Sequence, residues 1–233
     1  MAAELNNTNT PVQGSTSPTG DNFAITAGEP DLCAVVDVGY NSAASMSITA
    51  ITLGGVNILP FSCGVASHSP TGHEYVESFS VPNPPTGASV NLVITMAGTI
   101  TDIYRNVTVY KKVNQSFPVR PGTYFNHTTD RAFDGSSHFS LDVSSDALDL
   151  SHTAINGGGN GITGTNQTSE GISNAGGYSF ASDHATTPGA SVTHTWTAIG
   201  GSANLAIVGF SINGSPTAPP AQKPNIAPQL RAA

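Results

Sequence analysis

The sequence predicts an all-β protein, an antiparallel two-sheet β-sandwich of jelly-roll-like type that carries extended N- and C-terminal arms. Many short runs alternate apolar and polar residues with a period of two, and Gly, Pro and Asn separate these runs. Hydrophobic residues make up 38% of the 233 residues and charged residues only 9%, so neutral hydroxyl and amide groups must supply the surface. This hydrophobic content indicates a folded chain rather than a disordered one.

The two ends of the chain differ in composition from its centre. Residues 1–21 are polar and contain two prolines and two glycines, so we expect a flexible arm there. Residues 215–233 hold five prolines and few large apolar side chains, which is typical of a semi-rigid, polyproline-like arm. The β-sandwich domain is therefore predicted to span residues 22–214.

The predicted strands recur about every 10–12 residues, a spacing typical of antiparallel sandwiches and barrels. Glycine-rich residues 154–177 have few large apolar side chains and are predicted to form a long loop instead. No sequence repeat of fixed period is evident. The strand-like runs are 32–40, 45–53, 56–61, 74–81, 89–96, 103–113, 138–143, 147–155, 191–199 and 204–212.

Two turn motifs have a structural explanation. Gly54-Gly55 allows the positive φ angles of a tight hairpin turn between two strand-like runs. Pro84-Pro85-Thr86-Gly87 predicts a rigid turn in which the glycine takes the left-handed conformation. We assign these residues to the fold and give them no further role.

Charge and hydropathy argue against several classes of partner. The net charge is −8 with seven Lys and Arg residues, and Lys111-Lys112 is the one adjacent basic pair, so we expect neither nucleic acid nor an anionic membrane surface as a partner. No run approaches the roughly 18 apolar residues of a membrane span. The N-terminus has neither the basic nor the apolar region of a signal peptide. We expect a virion protein that is synthesised in a host cytoplasm, because this location fits both the N-terminal sequence and the neutral surface. The alternative is a protein secreted without an N-terminal leader or with a C-terminal signal.

No pattern of catalytic or metal-binding residues stands out, so the sequence predicts no catalytic, cofactor-binding or metal-binding residues and no enzyme activity. No two histidines have zinc-ligand spacing, the aspartates form no calcium loop, no Gly-x-Ser-x-Gly motif occurs, and no glutamate spacing favours a glycosidase pair. The residues weighed were His68, His73, His127, His138, His152, His184 and His194; Asp130, Asp134, Asp142, Asp146 and Asp149; and Glu4, Glu29, Glu74, Glu77 and Glu170.

Cysteine and aromatic residues leave alternatives open. Cys33 and Cys63 are predicted to be buried free thiols, with a bridge between neighbouring strands as the alternative. Trp196 is predicted to pack in the core, although it could form a sugar-stacking platform with tyrosines. The tyrosines considered for that platform are Tyr75, Tyr124 and Tyr178.

Three stretches together resemble a known kind of module. They are SITAITLGGVNILP (47–60), SFSVPNPPTGASVNLVIT (78–95) and NLAIVGFSING (204–214). Their order resembles the jelly-roll-like β-sandwich modules of phage virion proteins, such as capsid decoration and fibre proteins, and of bacterial surface proteins. The resemblance implies a β-sandwich that builds or decorates surfaces, and none of the matched residues is catalytic in such modules.

The function expected from the sequence is that of a non-enzymatic virion structural protein. The arms and the resemblance favour a phage capsid decoration or cement protein that binds the major capsid protein or other virion proteins through its arms and sandwich edges. Such edges are also compatible with a homo-oligomer. The alternative is a carbohydrate-binding or adhesive module of a phage fibre or bacterial surface, with glycans as partners.

Overall fold

A computed structural model confirms the all-β antiparallel sandwich class. Every strand pairing in the described part of the chain is antiparallel, and the non-strand element there is one short 3₁₀ helix, Leu59–Phe61. The structure describes residues 1–15, 17–42, 46–67, 74–120, 125–129, 138–143, 148–158, 162–165, 167–175, 178–185, 192–198 and 205–215.

The first half of the chain forms two sheets. Sheet I has the order β1-β10-β4-β8-β7, with β2 also paired to β10, and sheet II has the order β3-β9-β5-β6. The strands are β1 (Glu4–Thr8), β2 (Val12–Gly14), β3 (Thr19–Ile25), β4 (Cys33–Asn41), β5 (Ser47–Leu53), β6 (Val56–Asn57), β7 (Ser62–Ser67), β8 (Glu74–Pro82), β9 (Gly87–Ala97) and β10 (Asp102–Lys111).

The second half of the chain forms two further sheets. Sheet III has the order β11-β18-β13-β16-β15, and sheet IV has the order β12-β17-β14. The strands are β11 (Phe125–Thr129), β12 (His138–Val143), β13 (Leu150–Gly158), β14 (Ile162–Thr165), β15 (Thr168–Ala175), β16 (Tyr178–His184), β17 (Val192–Ala198) and β18 (Leu205–Ile212).

The two halves have the same topology. Replacing β1, β10, β4, β8 and β7 by β11, β18, β13, β16 and β15 converts sheet I into sheet III, and β3-β9-β5 corresponds in the same way to β12-β17-β14. The chain therefore contains the same sandwich topology twice, although its sequence has no repeat of fixed period. The tetrapeptide Gly-Ala-Ser-Val occurs in the sequence at 87–90, in β9, and again at 189–192, next to the start of β17, the equivalent strand.

The four sheets stack in the order II, I, III, IV. One apolar cluster joins sheets I and II, and a second joins sheets I and III. All nine residues of β4 are buried because sheet I is covered on both faces. At the I–III interface the backbones come close together: a Cβ on Gly39 would lie 2.6 Å from a ring carbon of Phe180 and 3.1 Å from Asn156.

The predicted N-terminal arm is part of the sheets, because residues 4–8 and 12–14 are strands that pair with β10. Asparagine side chains replace backbone partners in this segment. Asn9 Nδ2 donates to the carbonyls of Val107 (2.7 Å) and Ala24 (3.1 Å), and its Oδ1 accepts from the Ala24 amide (2.9 Å). A composition that looks like that of an arm can therefore hold strands. The predicted C-terminal arm, beyond Ser215, lies outside the described residues.

The predicted glycine-rich loop, residues 154–177, also contains strands: most of β13, and all of β14 and β15. Glycine is found within a strand where another chain segment approaches closely. At Gly171, for example, a Cβ would lie 2.4 Å from the ring of Pro11.

The turn predictions had mixed outcomes. Gly54 and Gly55 have φ angles of 57° and 82° at the hairpin between β5 and β6, as predicted. At the proline-rich turn, the positive φ of 46° belongs to Asn83, and Gly87 instead begins β9.

Candidate functional site

Ionisable side chains are buried between sheets I and III, where the two sandwiches meet. Strand alternation directs them into this layer, because residues on the other face of β4, such as Val36 and Val38, pack against sheet II. Sheet I contributes Asp37 from β4, Ser78 from β8, and Asn106, Thr108 and Tyr110 from β10; sheet III contributes His152 from β13, Glu170 from β15, and Ser182 and His184 from β16.

Glu170 is the centre of this ionic cluster. Its Oε1 accepts a hydrogen bond from Tyr110 Oη and lies 3.0 Å from His184 Nδ1. Its Oε2 accepts from Thr108 Oγ1 at 3.2 Å and lies 3.1 Å from His152 Nδ1. Four side chains from three strands therefore converge on one carboxylate that is 3% exposed.

A bulge in β15 directs Glu170 inward. The register between β15 and β16 shifts between Ser169 and Gly171, so Glu170 is the extra residue of the bulge. Bulges re-aim side chains and are common beside functional sites. The next residue, Gly171, leaves room for Pro11 of the N-terminal segment, which covers the strand at this point.

His152 lies between two carboxylates. Its Nε2 is 3.1 and 3.2 Å from the two oxygens of Asp37, while its Nδ1 faces Glu170 and also hydrogen-bonds with Tyr110 Oη at 2.9 Å. Asp37 in turn accepts a hydrogen bond of 2.6 Å from Ser78 Oγ. The Asp37–His152 contact joins sheet I directly to sheet III.

The cluster strongly favours a positive charge on His152 and a negative charge on Glu170. Burial opposes protonation of His152, but Asp37 and Glu170 outweigh it and raise its pKa to about 10. Burial likewise opposes ionisation of Glu170, yet His152 and His184 hold its pKa well below the usual value. Burial and the Glu170 charge together raise the pKa of Tyr110, so this hydroxyl stays protonated and donates. Because two buried carboxylates flank the His152 ring, the protonated, positively charged form of this imidazole is favoured.

The histidine rings pack against aromatic neighbours. The rings of His152 and Phe210 have centroids 5.0 Å apart, and Tyr110 meets the rings of both His152 and His184 edge-on at 6.1 Å. His152 and Asp37 are fully buried. A surface depression of about 260 Å³ is lined by residues 8–11 and 170–172 and therefore includes Glu170 in its wall.

A second buried histidine lies between sheets III and IV. His194 Nε2 is 2.8 Å from Ser151 Oγ, and its Nδ1 is 3.1 Å from Thr153 Oγ1. Burial lowers the pKa of His194 to about 4, so the ring is neutral. A serine nucleophile needs access to substrate and a carboxylate that orients the histidine. Here Ser151 is fully buried and the orienting group is a hydroxyl, so the arrangement suits packing.

The structure places several of the sequence candidates in structural roles. Glu4 pairs with Lys112 at 2.5 Å, and Asp149 pairs with Arg120 at 2.5 Å. Asp142 and His138 lie in β12 and His127 in β11. The candidates outside the described residues are His68, His73, Asp130, Asp134 and Asp146.

Sequence reasoning considered His152, His184 and Glu170 but did not connect them, and it missed Asp37 and Tyr110. Asp37 had a usable signal, because it is the one charged residue in the apolar run LCAVVDVGY. A charge inside a strand that is otherwise apolar on both faces needs a buried partner. No comparable local signal marks Glu170, which lies among glycine, serine and asparagine.

The described part of the proposed sugar platform is buried. Trp196 is 1% exposed, and Tyr75 is 8% exposed and stacks on Tyr40 with centroids 4.8 Å apart. The side chains of Tyr124 and Tyr178 lie outside the described part of the chain.

Both cysteines are free thiols. Cys33 is buried, as predicted, and Cys63 is half-buried. β8 lies between their strands, β4 and β7. Strands two apart are separated by roughly 9.5 Å, beyond the roughly 7 Å Cα limit of a disulfide.

No protein-family model matches this chain, and no curated protein or solved structure matches it either. In the described segments, no helix has the length and apolar character needed to cross a membrane.

Proposed function

We propose that this chain is a non-enzymatic structural protein of a virion, acting as a capsid decoration or cement protein that binds the major capsid protein. The observation that carries the proposal is that the clustered ionisable side chains are buried and contact one another. Asp37, His152 and Glu170 are buried at the interface between two sandwiches, where they bind one another. These contacts join the two halves, and the two carboxylates and the imidazole face one another rather than a substrate cleft.

Three exposed apolar side chains lie on chain segments that meet near Ser215, and we expect them to contact the capsid. Phe117 is 61% exposed, Leu148 42% and Met1 40%. Backbone contacts hold them together, because the Met1 ammonium donates to the Ser215 carbonyl, the Ala3 amide donates to the Leu148 carbonyl, and the Asn213 amide donates to the Pro118 carbonyl. We call Met1, Phe117 and Leu148 the terminal patch. Apolar patches on a protein surface mark interaction sites.

The proline-rich residues 216–233 follow Ser215 in the sequence, and Ser215 contacts Met1 of the terminal patch. Proline limits the conformations of a free chain, so such a segment loses less entropy when it binds across a neighbouring subunit. We expect the patch and the segment to bind the capsid together, because a linked second contact raises the effective affinity.

The test follows the chain through a density gradient of particles purified from its biological source. We expect it to sediment with capsids at a fixed ratio and to be released by mild denaturant while the capsids stay intact. Full-length recombinant protein should then rebind, and a variant ending at Ser215 should rebind more weakly. The chain remaining with unassembled proteins at the top of the gradient would refute the proposal.

The adhesive alternative receives less support, because burial of Trp196 removes the strongest member of a stacking platform. A glycan array probed with the full-length protein separates the two functions. Specific glycan binding by protein that does not associate with capsids would favour an adhesin.

A further inference from the structure

We propose that the ionic cluster is a binding site for one divalent transition-metal ion, most simply Zn²⁺, with Glu170, His152 and His184 as its protein ligands. The proposal does not depend on capsid binding. It rests on three observations. Both histidines contact the Glu170 carboxylate, His184 Nδ1 is not aligned for a hydrogen bond, and Asp37 contacts the other ring nitrogen of His152.

Each of the two histidine nitrogens lies close to the same carboxylate, at a distance near that between two ligands of one ion. His152 Nδ1 and His184 Nδ1 lie 3.1 and 3.0 Å from the two oxygens of the same Glu170 carboxylate. Ligands about 2.0–2.2 Å from a tetrahedral zinc ion are roughly 3.3 Å from each other. Small side-chain rotations would therefore bring all three groups onto one ion. Tyr110 Oη contacts both Glu170 and His152 and therefore lies beside the proposed ion.

The buried His184 Nδ1 lies 3.0 Å from Glu170 Oε1, but the two groups are not aligned for a hydrogen bond. The His184 side chain is 6% exposed, and among the described residues no group forms an aligned hydrogen bond with Nδ1, although Glu170 lies close. A buried polar atom without a hydrogen bond is costly. A metal ion between Nδ1 and the carboxylate would satisfy it, since coordination needs a lone pair directed at the ion and no proton.

Asp37 contacts the ring nitrogen of His152 that faces away from Glu170. One imidazole offers a single nitrogen to a given ion, and Asp37 occupies the opposite nitrogen, Nε2, of His152. Metal-bound histidines usually donate their other ring N–H to a carboxylate, which fixes the ring and strengthens the ligand. Ser78 in turn fixes Asp37. The Glu170 side of His152, with its second histidine and Tyr110, is therefore the ligand side.

Charge balance favours a divalent ion. Asp37 and Glu170 bring two buried negative charges to the cluster, and a zinc ion with neutral histidines balances them. Asp37, His152 and Glu170 offer ligand atoms within 4.8 Å of one another, so the charge is concentrated in a small volume. Because the ligands come from β13, β15 and β16, the ion would bind as sheet III forms, and its binding would stabilise the fold.

The test measures the metal content of the full-length protein, produced with a cleavable tag that contains no histidine. We expect about one zinc per chain by plasma mass spectrometry. After treatment with a chelator, Tm should fall by several degrees, and one equivalent of Zn²⁺ should restore it. Replacement by Co²⁺ should give the visible absorption of a four-coordinate site.

Variants locate the ion. His184→Gln and Glu170→Gln should abolish stoichiometric zinc, and Asp37→Asn should weaken it roughly 10–100-fold because it removes only the support of His152. His194→Gln, which changes another buried histidine, should keep the full metal content. If a variant does not fold, the metal content and the Co²⁺ spectrum of the unmodified protein still decide. Folded protein without zinc, without stabilisation by zinc and without a Co²⁺ spectrum would overturn the proposal and leave a proton-bridged ion network.

Discussion

The close contact between the two sandwiches at Gly39 gives a quantitative test of the stack. Gly39→Ala adds a Cβ that would lie 2.6 Å from the ring of Phe180 and 3.1 Å from Asn156. Both neighbours belong to sheet III, and both are fully buried. The methyl group must therefore push sheets I and III apart or force Phe180 from its rotamer.

The expected loss of stability is about 1–3 kcal/mol, the usual cost of overpacking a tight core. Separating the sheets also strains the contacts of Asn156, whose Nδ2 donates to the carbonyls of Tyr40 (3.2 Å) and Tyr75 (2.8 Å). We therefore expect a value in the upper part of that range. Urea unfolding followed by far-UV circular dichroism measures it.

Gly20→Ala is the matched control. Gly20 also lies in a strand, and its nearest neighbour would be 3.7 Å from the new Cβ, an ordinary contact. Alanine limits the unfolded chain more than glycine does, so this variant should be neutral or more stable by up to about 1 kcal/mol. Equal stability of the Gly39 and Gly20 variants would refute the close packing of sheets I and III.

Three further predictions concern other parts of the molecule. Asp21→Asn should cost about 1.5–3 kcal/mol in urea unfolding, because Arg105 is 2% exposed and its Nε lies 2.8 Å from the Asp21 carboxylate. The folded pKa of His194 is about 4, below its unfolded value, so the unfolded state binds more protons and stability should fall between pH 6.5 and pH 4. That fall should be smaller in His194→Gln, and equal slopes would contradict it. Phe117→Ser should leave Tm unchanged but weaken capsid binding, whereas Val56→Ser, at another exposed site, should leave both unchanged.

The stacking of two sandwiches of the same topology explains why a polar layer lies inside the protein. Sheets I and III have equivalent places in the two sandwiches, and each would have one face at the surface in an isolated sandwich. Stacking them buries both surfaces, so polar side chains that would face water must find partners across the layer. The Asp37–His152 contact and the Asn156 hydrogen bonds are such partners.

The two sandwiches differ in their own interiors. Between sheets I and II the core is apolar, with Phe23, Ile51 and Phe79 among its members. Between sheets III and IV, His194 and the hydroxyls of Ser151 and Thr153 are buried. Trp196 of sheet IV is buried as well, so the described part of this interior combines polar and apolar side chains.

Residue alternation and composition were enough to predict the all-β class and most strands of the first sandwich. The runs at 32–40, 74–81 and 103–113 match β4, β8 and β10 closely because alternation and β-branched residues are local properties. The hairpin glycines were also predictable, since positive φ depends on the residue itself. Local composition failed for residues 4–8 and 168–175, where asparagine, serine and glycine form strands that depend on distant partners.

Which sheet faces meet, and therefore which residues form the cluster, depends on the folded arrangement of the sheets. Asp37, Tyr110, His152 and Glu170 are separated by up to 133 positions in the sequence, since Glu170 follows Asp37 by that number. Their meeting depends on strand register, on the bulge at Glu170 and on the stacking of sheet I against sheet III. A period of two reveals that a strand has two faces, but it does not reveal which sheet will cover each one.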